Sequence, residues 1–441
     1  MSDVRRPIPR ATGVARTLRP VGPVVSAPHP EGCDDGRMAA PYVTYDDVVA
    51  ARALLENVAV RTPLVHSRVL SEAVGGPVHL KCESLQRSGS FKIRGAYVRI
   101  RKLTDEERAR GVVAASAGNH AQGVALGATL VGTKAMVFMP EGAPLPKVEA
   151  TRAYGAEVVF AGTTVDDALA AAKEHAERTG AVLIHPFDHP DVVAGQGTIG
   201  LEIVEQLPDV ATIVVPVGGG GLAAGIALAA RALRPDIKIV GVQAEQAAAY
   251  PASLAVGHPV KVDPAPTMAD GIAVGLPGEL PFALVNSLVD SVVTVSEESL
   301  SRALLLCLER SKLLVEPAGA AAVAAILDHP HAFEPPVVAV LSGGNIDPLL
   351  LAKVLRHGLA AAGRYLSFRV RLADRPGALA GLLTRIAELG ANVLDVVHER
   401  IGARLHLDQT DVLLQVETRG PDHCDEVLAA LRRDGHTVLF S

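Results

Sequence analysis

Thr212-Ile213-Val214-Val215-Pro216-Val217 runs straight into Gly218-Gly219-Gly220-Gly221 and then Leu222-Ala223-Ala224-Gly225. The first run is β-branched and does not alternate with polar residues, the pattern of a strand covered on both faces. The last is small, apolar and helix-favouring, and predicts a helix over Leu222–Arg234. Four successive glycines between them carry an entropy cost that a plain turn does not require. They let the backbone close around an anion and aim several N–H groups at it. The spacing is neither GxGxxG nor GxxxxGK[ST], so a phosphate monoester fits better than a dinucleotide or nucleoside triphosphate.

The same strand-then-helix rhythm extends outward in both directions. Val112-Val113-Ala114-Ala115 precedes a helix from about Asn119, and Ala135-Met136-Val137-Phe138-Met139 precedes one starting near Leu145. Glu157-Val158-Val159-Phe160 precedes a helix around Asp166–Arg178, and Ile237–Val240 and Val337–Leu341 continue the theme. The expected class is therefore α/β, with parallel sheets wrapped by helices.

Two ends depart from this rhythm. Residues 1–42 are broken by seven prolines and charged by Arg5, Arg6, Arg10, Arg16 and Arg19 among others, a composition that reads as a disordered tail, with Met38 a possible second start. From Arg364 on, Leu366–Leu372 alternates as a half-buried strand. A helix over Ala378–Leu389, strands near Asn392–Glu399 and Asp411–Glu417, a helix over His423–Arg433 and a strand over His436–Phe440 complete a βαββαβ order in residues 364–441. Ala360-Ala361-Ala362-Gly363 is the expected linker.

Composition narrows the function. The chain has 441 residues, enough for roughly three domains, and a net charge of −6 that gives no electrostatic drive toward nucleic acid. Aromatics are 3%, with no Trp, against stacking on bases or sugars. No apolar run reaches membrane-spanning length, and no secretory signal is evident. Cys33, Cys82, Cys307 and Cys424 lie far apart, without metal-finger spacing, and suit reduced thiols in the cytoplasm.

Three further stretches sit where strands give way to helices, the edge at which open parallel sheets bind ligands. In Ser88-Gly89-Ser90-Phe91-Lys92, a lysine beside small residues is either a desolvated nucleophilic amine or an ordinary surface lysine. Ser116-Ala117-Gly118-Asn119-His120 is either a helix-start site for a carboxylate or a plain cap. Ser342-Gly343-Gly344-Asn345 offers a hydroxyl at a sheet edge, or simply a turn. Together, a reactive lysine, a phosphate cradle and polar groups for a small ring suggest pyridoxal phosphate.

SFKIRGAY, SAGNHAQG, PVGGGGLAAG, ADGIAVG, VEPAGAA and LSGGNID resemble, in order, the motifs of the threonine ammonia-lyase (threonine dehydratase) family of fold-type-II pyridoxal-phosphate enzymes. The resemblance covers about residues 43–360 and implies a catalytic domain of two lobes, the smaller (about 88–185) inserted in the larger. Residues 364–441, with Asp374, Arg375, Pro376, Gly377, Ala378 and Leu379 after the first strand, resemble a single regulatory ACT domain.

The resemblance implies covalent attachment of the cofactor to Lys92, with Phe91 packed near the ring. Gly218, Gly219, Gly220, Gly221 and Leu222 would hold the phosphate, Asn119 the 3-hydroxyl, and Ser342 the pyridine nitrogen. Ser116, Ala117, Gly118, Asn119 and His120 would receive the substrate carboxylate. Gly275 and Glu316 fall in family motifs near the site. The implied reaction is deamination of L-threonine, and of L-serine, to 2-oxobutanoate or pyruvate and ammonia, in isoleucine biosynthesis or threonine catabolism. A homo-oligomer, often a tetramer, is expected, with isoleucine or valine as effector at Asp374–Leu379.

Serine racemase is the nearest alternative, but that family carries a serine base where this chain has Ala117. A non-catalytic amino-acid sensor is a further one. Some relatives hold a divalent cation beside Glu245; here Tyr250 and Pro251 occupy the stretch of the second acid, and no metal is expected.

Overall fold

The computed structural model describes residues 43–400, 406 and 408–439. The expected tail over 1–42 lies outside the described residues. Three sheets form among the described residues, and the strands at Leu64–His66, Val78–Lys81, Val182–Leu183 and Ser291–Val295 join those read from the sequence.

The largest has six strands in the order Leu64–His66, Val78–Lys81, Val337–Val340, Thr212–Pro216, Lys238–Ala244, Ser291–Val295. Only the first pair is antiparallel. Its central strands are buried along their whole length, as runs without polar alternation require. A second sheet, wholly parallel, has the order Glu157–Phe160, Ala135–Met139, Val112–Ala115, Val182–Leu183.

Helix Lys92–Arg101 packs on helix Asn119–Val131 and on helix Pro190–Gln206. Their approach needs small residues: a Cβ on Gly195 would fall against the backbone of Gly95 and Arg94 at 2.6–2.8 Å. The core here is alanine, valine, leucine and isoleucine, consistent with the scarcity of rings.

The third sheet is antiparallel, in the order Asn392–Glu399, Gln409–Glu417, Tyr365–Ala373, Thr437–Leu439. Phe368, Val370 and Leu372 alternate inward with Val412, Leu414 and Val416 against Ile386 and Val427 of the two covering helices. The βαββαβ reading therefore stands as a fold, consistent with an ACT-like unit. The expected linker is corrected: helix Pro348–Ala361 runs through the alanines, leaving a turn at Ala362-Gly363 whose Gly363 carbonyl accepts from the Thr418 hydroxyl at 2.7 Å. Alanine's high helix propensity explains the difference. Among the described residues no helix is long and apolar enough to cross a membrane.

Candidate active site

Lys92 is the first residue of helix Lys92–Arg101, which begins where the loop from strand Val78–Lys81 returns to the sheet. The return is held by backbone bonds: Phe91 N–H donates to the Ser342 carbonyl (3.2 Å) and Gly344 N–H to the Gly89 carbonyl (2.8 Å). Ser342 is buried at the end of strand Val337–Val340, so Phe91, Lys92 and Ser342 meet at one sheet edge. The Lys92 amine donates to the Pro186 carbonyl at 3.0 Å and stands 5.2 Å from the Phe91 ring centre. Burial lowers it from the ordinary lysine range to about 8, against a weaker opposing pull from Glu316.

Beneath this turn lies a buried quartet of charges. The Arg94 guanidinium donates to both oxygens of Glu83 (2.9 and 2.8 Å) and both of Glu202 (2.6 and 3.1 Å). Lys81 Nζ donates to Glu202 and to the Thr62 carbonyl (2.9 Å), and the Thr62 hydroxyl donates to Glu83 at 2.6 Å. The quartet ties the lysine helix to the large sheet and to helix Pro190–Gln206.

Asn119 opens helix Asn119–Val131, with Ser116 to Gly118 in the half-buried turn before it; the Gly118 N–H donates to the Ser116 hydroxyl at 3.1 Å. The Asn119 amide donates to Glu316 Oε1 (2.6 Å) and its carbonyl accepts from Asn345 Nδ2 (2.8 Å). Glu316 is buried, and burial, with the Asp270 charge second, pushes its carboxyl up to about 7. His120 is neutral: burial, then the Lys92 charge, lowers it to about 3, and its Nε2 lies 2.8 Å from the Ile184 carbonyl.

The glycine loop follows strand Thr212–Pro216 and caps helix Gly221–Leu233. Gly220 has φ of 99°, a conformation that side chains rarely adopt. A Cβ on Gly219 would collide with the Phe187 ring. Among the described residues, the N–H groups of Gly218, Gly219, Gly220, Gly221 and Leu222 meet no protein acceptor. That row of available donors at a helix start fits a phosphate, and the lysine amine and the glycine loop both touch the two residues Pro186-Phe187.

Segment 184–188 is thus the hub that sequence reasoning missed. Ile184 meets His120, Pro186 meets Lys92 and Phe187 backs the loop. Asp188 accepts the N–H groups of Glu279 and Leu280, both at 3.1 Å. Its signal was the stretch His185-Pro186-Phe187-Asp188 just past strand Val182–Leu183. Gly275 lies outside this cluster, with its carbonyl accepting from Val262 N–H at 2.8 Å. Glu245 is exposed, and no cluster of metal-binding side chains occurs among the described residues. Asp374 to Leu379 border a separate cavity of about 340 Å³ in the C-terminal unit, shared with His398, Arg400 and Thr410.

Sheet topology, a desolvated lysine at a strand-to-helix edge and an open phosphate cradle define a fold-type-II pyridoxal-phosphate enzyme. Residues 55–343 match the family described as pyridoxal-phosphate-dependent enzymes, and the chain belongs to that family; its cofactor is pyridoxal 5′-phosphate. The chain is 48% identical over 396 residues to the L-threonine ammonia-lyase of Thermotoga maritima, covering 90% of this chain and 99% of that protein. Among solved structures it resembles the processed threonine deaminase isoform 2 of Solanum lycopersicum, with TM-score 0.70, 37% identity, and coverage of 76% and 97%. It also resembles maize serine racemase, with TM-score 0.68, 36% identity, and coverage of 72% and 98%.

Proposed function

We propose that the protein deaminates L-threonine, and L-serine, releasing 2-oxobutanoate or pyruvate and ammonia. The observation that carries this reading is the Lys92 amine, lowered to about 8, on the same two-residue segment as the open glycine cradle. The likeness to the Thermotoga ammonia-lyase along nearly its whole length supports the substrate.

Lys92 would hold the cofactor covalently, and the bound ring would supply an electron sink for chemistry at the substrate Cα. Gly218 to Leu222 would bind its phosphate, Asn119 its 3-hydroxyl and Ser342 its ring nitrogen, with Phe91 beside the ring. Ser342, as a hydroxyl partner, would not hold that ring nitrogen protonated as a carboxylate would. Ser116 to His120, where a turn runs into a helix start, would receive the substrate carboxylate. Lys92 Nζ, once released, takes the Cα proton. Glu316 orients Asn119 and holds a proton near neutrality.

We read residues 43–360 as the catalytic unit, with a smaller lobe at about 88–185, and 364–441 as an effector module. An amino acid such as isoleucine or valine would occupy the cavity at Asp374–Leu379, and the enzyme would act as a cytoplasmic homo-oligomer. Cys82, Cys307 and Cys424, all unpaired, agree with a reducing compartment.

The test is product identification with threonine and serine, each with isoleucine or valine added, alongside Lys92→Ala. Ammonia and 2-oxobutanoate from the parent enzyme, and in Lys92→Ala neither the absorbance of the lysine-linked cofactor nor turnover, are the expected results. Full activity in that variant, or D-serine as the main product, would overturn the reading. Ala117 offers no second base for racemisation.

A further inference from the structure

The Gly219–Gly220 peptide carries a feature that the free donors alone do not explain. In a trans peptide the C=O and the next N–H point in opposite directions. Pro335–Pro336 is the only cis bond among the described residues, so the Gly219 carbonyl and the Gly220 N–H are opposed. The carbonyl is gripped twice on its own side, by the Tyr250 hydroxyl at 3.3 Å and the Gly278 N–H at 3.2 Å. The Gly220 N–H is thereby turned away from both, among the loop donors that meet no protein acceptor.

Tyr250 is built for this one contact. Its side chain is fully buried, its ring lies 6.1 Å from that of Phe282, and its backbone N–H is fixed by Gln243 at 2.8 Å. The Gly219 carbonyl is the sole hydrogen-bond partner of its hydroxyl among the described residues. The hydroxyl also fills the space that a Cβ on Gly220 would need.

We infer that Tyr250 is a positioning residue for the cofactor phosphate: with the Gly278 N–H it holds the Gly219 carbonyl so that the Gly220 N–H faces the cradle. This rests on the glycine loop being the phosphate site. Tyr250→Phe keeps the ring and its packing, and the Gly219 carbonyl keeps one donor, so the variant should fold as the parent does.

The experiment titrates the cofactor-free protein with pyridoxal phosphate and with pyridoxal, which lacks the phosphate, and records its melting temperature without ligand. The parent should strongly prefer pyridoxal phosphate. Tyr250→Phe should bind pyridoxal phosphate about fivefold more weakly, the size of one lost neutral hydrogen bond, with pyridoxal affinity unchanged and the melting temperature within about 2 °C of the parent. Phe282→Leu, which loosens the same packing and spares the hydroxyl, should lower the melting temperature and leave the preference intact. Parent-like affinity in Tyr250→Phe, equal loss for both ligands, or an equal change of preference in Phe282→Leu would each overturn the inference. A parent that does not distinguish the two ligands would instead overturn the glycine loop as the phosphate site.

Discussion

Replacing Arg94 by Met tests whether the buried quartet anchors the reactive turn. Arg94 is 1% exposed, and its guanidinium makes six hydrogen bonds, four to carboxylate oxygens and one each to Thr198 and the Val60 carbonyl. Two cations and two anions balance in the parent; Met leaves Glu83 and Glu202 facing Lys81 alone. Removing one partner of a buried ionic cluster costs about 3–5 kcal/mol. With an unfolding entropy of about 2.1 cal/mol/K per residue, a unit the size of residues 43–361 should melt about 4–8 °C lower. Calorimetry of the cofactor-loaded protein reads this directly. The acid side gives a second signature. Burial pushes the Glu83 carboxyl up, but Arg94, with Lys81 and Thr62, more than offsets this and holds it below the ordinary range. Its contribution is full above the pKa of an unfolded glutamate and lost as pH falls through the lower folded value. Without Arg94 the upward push of burial is opposed only by Lys81 and Thr62, so the loss of stability on acidification should shrink. A melting temperature within about 1 °C of the parent, with an unchanged acid limb, would refute the reasoning.

Three other outcomes follow from the site. Glu316→Gln keeps an acceptor for Asn119 and removes the carboxyl raised to about 7, so the cofactor should still bind. The inflection near pH 7 in the rate profile should vanish with about a 10–100-fold fall in kcat; an unaltered profile would contradict the role given to Glu316. In the cofactor-free protein, Lys92 is mostly protonated below pH 8. The rate of cofactor capture, followed by absorbance, should therefore rise about tenfold per pH unit and flatten near 8, and a rise continuing toward 10 would be evidence against a desolvated amine. Gly220→Ala forces a side chain into a φ of 99° and against the Tyr250 hydroxyl. It should weaken pyridoxal-phosphate binding at least about tenfold in a fluorescence titration, and parent-like binding would mean the loop does not bear on the phosphate.

Much of this arrangement can be read along the chain because its signals are local. Thr212–Pro216 and Val337–Val340 lack polar alternation because both faces are covered, and the glycines after Pro216 stand where strand becomes helix. Lys92 and Asn119 are identifiable as helix starts for the same reason. What escapes is contact between distant segments. Pro186 meets Lys92 across 94 residues, and Asn345 meets Asn119 across 226. No periodicity marks the segment 184–188, whose residues matter through their loop carbonyls and one ring. Arg94 reads as an ordinary polar helix residue until Glu83 and Glu202 close around it. Tyr250 stands out in the sequence only as a missing acid; its hydroxyl acquires meaning from the backbone of Gly219, on another strand end.

The position of Lys92 within its helix has a consequence of its own. As the first residue, it stands at the end where the peptide dipoles sum to a partial positive charge and the earliest N–H groups lack helical partners. That field opposes the ammonium form in the same direction as burial does. The amine's nucleophilicity is thus partly a property of helix polarity. The same lysine moved one turn further along, equally buried, would meet a weaker field and keep its proton to higher pH.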